Sequence, residues 1–304
     1  MRRHVTTIEE IGRTGLLEVC RLARDADGVS LAGEGVALVF ERPSLRTRAS
    51  SSVAVTDLGG HPTFFTGDEI GIDSRESAED VARTIAAYFP IAALRVRDHG
   101  VLTRMREATG DRLSVINLLS NEAHPTQAIA DLLTLADHFS GGAVEGLRGL
   151  EVAYVGDATN VARSLCVALR LVGARVRVAS PERYRLARGR VEDPGRVASG
   201  SLVEVDDVGA GVRGADAVYT DAWVSMGAEA EAEQRRRDLR QYRVTPDLLD
   251  LAGTGAVFLH CLPAHRGDEV VDAVLDGPRS LIWEQAAHRR SAMRGALAWV
   301  RGAA

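Results

Sequence analysis

Across 304 residues the chain carries 42 acidic and 37 basic residues, a formal net charge of −5, and every one of the basic residues is arginine. Net negative charge argues against a nucleic acid or an anionic membrane as partner, because both need a broadly basic face. The lack of lysine excludes Schiff-base catalysis, pyridoxal-phosphate attachment and the Walker-lysine phosphate loop, which all need an amine. Three widely spaced cysteines, Cys20, Cys166 and Cys261, suit reduced thiols and a cytoplasmic protein. No apolar run reaches the ~18 residues of a membrane-spanning helix, and no charged-then-apolar leader opens the chain.

Short apolar runs alternate with helical patterns in both halves, the βα alternation of parallel-sheet folds. In the first half, GVALVF (35–40), PTFFTG (62–67), IAALRVR (91–97) and RLSVINLL (112–119) read as strands. A helix over 77–89 opens with SAED, a serine followed three residues later by an acid, as in a capping box. The helix over 124–139 has proline in its first turn, where a missing N–H costs little. The glycine-rich, aperiodic stretch 140–149 marks the domain boundary. Beyond it LEVAYVGD, ARVRVASP, ADAVYTDAW, GAVFLHCLP and SLIWEQ read as strands, and a helix over 285–301 closes the chain.

Ligands in such sheets bind at the C-terminal ends of strands. That rule selects Ser44, Leu45, Arg46, Thr47 and Arg48, just past the first strand at the start of a helix, where free N–H groups, hydroxyls and arginine forks suit a phosphate. It also selects Arg95 at a strand end, and His124 with Gln127 at the next helix start. In the second half YVGDATNVARS lacks the G-x-G-x-x-G of dinucleotide folds, so no cofactor is expected. HCLPAHRGDE groups His260, Cys261 and His265. It is a poor zinc motif, with one cysteine and with His260 and Cys261 on opposite faces if extended, so no metal is expected.

Together these motifs resemble the transcarbamylase (aspartate/ornithine carbamoyltransferase) family over essentially the whole chain, and more closely its ornithine branch. The S-x-R-T-R phosphate loop matches Ser44–Arg48, the strand-end arginine matches Arg95, and H-P-x-Q matches His124 to Gln127. G-D-x-x-N-V supplies Asn160, D-x-W-x-S-M-G supplies Asp221, Ser225 and Met226, H-C-L-P supplies Cys261 and Leu262, and Arg289 matches a further carbamoyl-phosphate arginine. The resemblance implies two parallel-sheet α/β domains. A carbamoyl-phosphate domain would span 1–140, a Rossmann-like amino-acid domain 141–284, and a C-terminal helix (285–304) would return to the first. It implies a homotrimer, or a multiple of trimers, that moves the carbamoyl group of carbamoyl phosphate to the δ-amine of L-ornithine and makes citrulline for arginine biosynthesis. Ser44, Leu45, Arg46, Thr47, Arg48, Gln127 and Arg289 would hold carbamoyl phosphate. Arg95 and His124 would hold it too and would act in catalysis. Asn160, Asp221, Ser225, Met226, Cys261 and Leu262 would hold the amino acid, with Cys261 also acting on its amine.

Against the aspartate branch stand the absent lysine and His260-Cys261-Leu262-Pro263 in place of H-P-L-P-R. The match weakens after the phosphate loop. R-T-R-x-S-F-E is usual, but Ala49, Ser50, Ser51 and Ser52 follow Arg48, so a phenylalanine and a glutamate are missing. Glu69 stands near a usual glutamine, an acid that would oppose phosphate unless Arg75 compensates. A related diamino acid or amine as acceptor, and a catalytically impaired anion-binding relative, remain alternatives.

Overall fold

The computed structural model describes residues 2–186, 200–224 and 229–302. The chain forms two compact units, Met1–Ala130 with Ala287–Ala304, and Asp131–Ala286.

In the first unit α1 (Ile8–Arg24) precedes β1 (Gly35–Phe40), α2 (Leu45–Asp57), β2 (His61–Thr66), the single turn α3 (Gly67–Ile70), α4 (Ala78–Tyr88), β3 (Ile91–Arg95), α5 (His99–Thr109), β4 (Ser114–Leu119) and the start of α6 (Pro125–Phe139). All strand pairs are parallel, in the order β2-β1-β3-β4. Strands β1, β3 and β4 are almost continuously buried, as parallel strands covered on both faces must be, whereas the edge strand β2 is half-buried. The predicted cap at α4 forms, with Asp80 N donating to Ser77 Oγ at 3.1 Å.

In the second unit come β5 (Glu151–Val155), α7 (Asn160–Val172), β6 (Arg175–Ala179), β7 (Ser201–Val205), α8 (Val208–Val212), β8 (Ala217–Thr220), α9 (Ala232–Leu239), α10 (Pro246–Ala252), β9 (Val257–His260), α11 (Asp272–Leu275) and the start of α12 (Ile282–Arg301). Its sheet is also parallel, in the order β7-β6-β5-β8-β9. Its core gathers Val155, Val218, Phe258 and Trp223 with helix residues such as Leu248 and Val274.

The expected class, two parallel-sheet α/β domains with the last helix returning to the first, is what forms. One expected strand is not there: SLIWEQ meets the sheet only at Ser280, through an isolated bridge to Phe258, and then enters α12. Ile282 and Gln285 are buried while Trp283 and Glu284 are exposed, which is helical spacing too short to distinguish from a strand. The half-exposed edge strand β7 went unpredicted. The division between units passes through α6, between Ala130 and Asp131, and through α12, between Ala286 and Ala287.

Candidate active site

Phe40 and Arg95 are register partners at the C-terminal ends of β1 and β3. In a sheet ordered β2-β1-β3-β4 they flank the point where strand order reverses, which is where such sheets bind ligands. Past β1, Ser44 caps α2: its Oγ accepts from Thr47 N at 3.4 Å and donates to Thr47 Oγ1 at 3.0 Å. No acidic residue occupies the first turn of α2, so the positive end of the helix stays uncompensated. Arg46 is half-buried and Arg48 exposed. The Leu45 side chain is 81% exposed, so only its backbone N–H, at the first helical position, is placed to serve the loop.

Three segments far apart in sequence meet at Arg289 of α12. Its guanidinium donates to Gln127 Oε1 of α6, and to Thr47 Oγ1 of α2 at 3.3 Å. Arg289, Gln127, Thr47, His124 and Arg95 are all buried. Burial first, then the Arg289 and Arg95 charges, push the His124 imidazole well below its ordinary value. The ring is therefore neutral at physiological pH and able to donate one N–H. Two buried guanidinium groups beside a neutral donor give a site of strong positive potential, suited to an oxyanion or a phosphate.

The second unit repeats the arrangement. In the order β7-β6-β5-β8-β9 the reversal lies between β5 and β8, and the ends of these strands carry Asp157 and Asp221. Asn160 opens α7, half-buried. Asp221 Oδ1 accepts from Ala222 N at 2.7 Å and from the Cys261 thiol at 2.8 Å. Leu262 takes a left-handed backbone, φ 58°, and its N–H donates to His260 Nδ1 at 2.8 Å. A leucine there costs on the order of 1–3 kcal/mol, the kind of local strain that gathers at binding sites. Ser225 and Met226 lie outside the described residues.

Asp221, His260 and Cys261 could bring one ligand atom each within 4.8 Å of one another. The donors are already engaged: His260 Nδ1 accepts from Leu262 N, His260 Nε2 lies 3.2 Å from Glu269 Oε1, and Cys261 is turned to Asp221. A metal there would have to displace the Cys261–Asp221 hydrogen bond and one of the two His260 contacts. Glu69 keeps its negative charge: its carboxylate accepts from Thr66 N at 2.6 Å in a capping box, which holds its pKa below the ordinary value, and Arg75 reaches its backbone carbonyl at 3.3 Å rather than its carboxylate.

Two residues near the second cluster were not singled out from sequence. Arg235 of α9 pairs with Asp157 and also donates to Trp223 O at 3.3 Å, so it ties the turn before Asn160 to the segment after Asp221. Nothing in the run Arg235-Arg236-Arg237 distinguishes which arginine points inward. Gln285 joins Asp131, Tyr219 and His260 N at 2.7, 3.2 and 2.9 Å.

Two parallel α/β units, each with a polar cluster where its strand order reverses, define a class that family comparison narrows. Residues 3–137 match the aspartate/ornithine carbamoyltransferase carbamoyl-P binding domain, and residues 148–300 the Asp/Orn binding domain of the same proteins. The chain belongs to the aspartate/ornithine carbamoyltransferase family. It is 43% identical over 272 residues to an ornithine carbamoyltransferase of Ignicoccus hospitalis, covering 88% of this chain and 85% of that one. It is 40% identical over 311 residues to that of Pyrobaculum islandicum, covering 98% and 99%. The solved ornithine carbamoyltransferase of Pyrococcus furiosus superposes with a TM-score of 0.91 at 35% identity, over 99% of this chain and 98% of that one. The protein is therefore an enzyme of the ornithine carbamoyltransferase type. No helix among the described residues is long and apolar enough to cross a membrane.

Proposed function

We propose that the enzyme transfers the carbamoyl group of carbamoyl phosphate to the δ-amine of L-ornithine, releasing L-citrulline and phosphate. Residues 1–140 hold the donor, 141–284 the acceptor, and 285–304 complete the donor site. The observation that carries this reading is Arg289 donating to both Gln127 and Thr47, which supports a built, buried anion site. Ser44, Arg46, Thr47, Arg48 and the Leu45 N–H neutralise the phosphate, making it a better leaving group. Arg95 and neutral His124 donate to the carbonyl oxygen as charge develops there, the largest single contribution such sites make. Gln127, its Oε1 taken by Arg289, orients the carbamoyl amide.

On the acceptor side Asn160 receives the α-carboxylate and Asp221 with Ser225 the α-ammonium, and Met226 helps hold the amino acid. Cys261 and the Leu262 backbone direct the neutral δ-amine at the carbonyl carbon. The C–N bond forms, the C–O bond to phosphate breaks, and the amine proton leaves with the products. We further read the protein as cytoplasmic, as a homotrimer or multiple of trimers, and as serving arginine biosynthesis. Exposed Leu45 and Tyr88 are apolar surface that subunit contact would cover.

Purified protein incubated with carbamoyl phosphate and a panel of ornithine, lysine, shorter diamino acids, putrescine and aspartate tests the reading. Citrulline should form fastest. Another ureido product forming far faster would reassign the acceptor, and no product with any amine would mark an impaired relative.

A further inference from the structure

We propose that Phe64 is a positioning residue for carbamoyl phosphate: its aromatic ring, in place of a carboxylate, holds the Arg48 guanidinium where the phosphate meets it. The proposal rests on the reading of the first-unit cluster as a carbamoyl-phosphate site. Arg48 closes the Ser44–Arg48 loop and is followed by Ala49, Ser50, Ser51 and Ser52, none of them acidic. A loop arginine without an orienting partner pays rotamer entropy each time it binds. The Arg48 guanidinium carbon lies over the Phe64 ring, 4.4 Å from its centroid, within the range of a cation–π contact.

The Glu69 carboxylate feels the charge of Arg48 without pairing with it. The Glu69 carboxylate is committed to Thr66 N at 2.6 Å, and among the described residues no carboxylate forms an ion pair with Arg48. The ring itself is fixed by backbone and by packing. Phe64 is register partner to Leu38 on β1, and its ring centre lies 6.3 Å from that of Phe40. Arg48 is anchored at its own base, where its N–H donates to Ser44 O at 3.0 Å in the first turn of α2.

The choice of partner has a chemical consequence. A carboxylate orients an arginine but occupies its N–H groups and offsets the charge that phosphate needs. A ring holds the guanidinium by its electron-rich face and leaves the in-plane donors free for a bidentate anion.

The test measures the affinity of inorganic phosphate and of carbamoyl phosphate by calorimetry, together with both Michaelis constants, for Phe64→Leu, Phe64→Trp and Arg48→Gln. Phe64→Leu should weaken both anions roughly fivefold, as loss of a cation–π contact implies. The KM for carbamoyl phosphate should rise in step, with the KM for ornithine unchanged. Phe64→Trp should restore binding, and in the Arg48→Gln background Phe64→Leu should have no further effect. Should Phe64→Leu not fold, phenylalanine at 64 replaced by its mono-, di- and trifluoro forms keeps the shape while weakening the ring's electron density, and affinity should fall stepwise. Wild-type anion affinity in Phe64→Leu, an equal loss in the Arg48→Gln background, or no trend along the fluorinated series would each overturn the proposal. Coupled anion binding without product from any amine would uphold the positioning role while removing the transferase reading.

Discussion

The Cys261 thiol donates to Oδ1 of Asp221 across 2.8 Å, linking the end of β9 to the end of β8. A carboxylate that also accepts from Ala222 N at 2.7 Å keeps the sulfur in one orientation, so the lone pairs of sulfur and the adjacent Leu262 carbonyl can face an amine. Truncating the thiol removes a hydrogen bond to a charged group, worth about 1.5–3 kcal/mol. Cys261→Ala should therefore raise the KM for ornithine by roughly ten- to a hundredfold, leaving carbamoyl-phosphate affinity intact, while Cys261→Ser keeps a donor and most of the affinity. Steady-state kinetics with each substrate varied in turn checks this.

Gln127 holds Arg289 through its amide oxygen, deep in the first unit. Gln127→Ala strands part of a buried guanidinium, a loss of about 1–3 kcal/mol. Carbamoyl-phosphate affinity should fall by roughly ten- to a hundredfold, and the melting temperature should fall as well. Calorimetric titration and thermal unfolding of the variant measure the two effects. An unchanged affinity would remove Arg289 from the donor site.

Because burial and two neighbouring arginines depress the His124 imidazole, its titration in NMR should lie well below that of a free imidazole. Below the unfolded-state value the unfolded chain binds a proton that the folded one refuses, so this group's share of stability is lost as pH falls. Neutral donation to the carbonyl oxygen predicts that His124→Ala lowers kcat by about 10²–10³. A His124 ring titrating near the ordinary imidazole value would contradict the assigned role.

Asp157 behaves in the opposite sense. Desolvation raises its carboxyl to about 6, against the lowering effect of Arg235. The folded state then binds a proton more tightly than the unfolded state between the two values. This group's contribution is complete below the unfolded value near 4 and is lost as pH rises through about 6, by at most about 3 kcal/mol. Urea unfolding of wild type and Asp157→Asn at pH 4.5 and pH 8 should show the wild type losing stability relative to the variant as pH rises. A gap independent of pH would show that Asp157 is not perturbed.

Much of the site was legible in the sequence because its parts lie at strand ends, where alternation and punctuation are clear. Ser44 to Arg48 after β1, Arg95 ending β3 and His124 opening α6 were all placed by that rule. The ties between them were not legible. Arg289 reaching Gln127 and Thr47 crosses the chain from one end to the other, and Arg235 is chosen from three consecutive arginines only by the direction its side chain takes. Spacing shows the charge of Glu69 but not the capping box that holds its carboxylate at Thr66 N. SLIWEQ misled because six residues cannot separate a strand from the first turns of a helix.

The most direct measurement follows the bond that forms. Carbamoyl phosphate labelled with ¹³C at the carbonyl and ornithine labelled with ¹⁵N at the δ-nitrogen are incubated with the enzyme and observed by ¹³C NMR. Transfer to ornithine predicts a urea-type carbonyl signal split by one-bond coupling to ¹⁵N, growing with release of phosphate. Growth of bicarbonate alone, or of a ureido carbonyl without that splitting, would contradict carbamoyl transfer to the δ-amine.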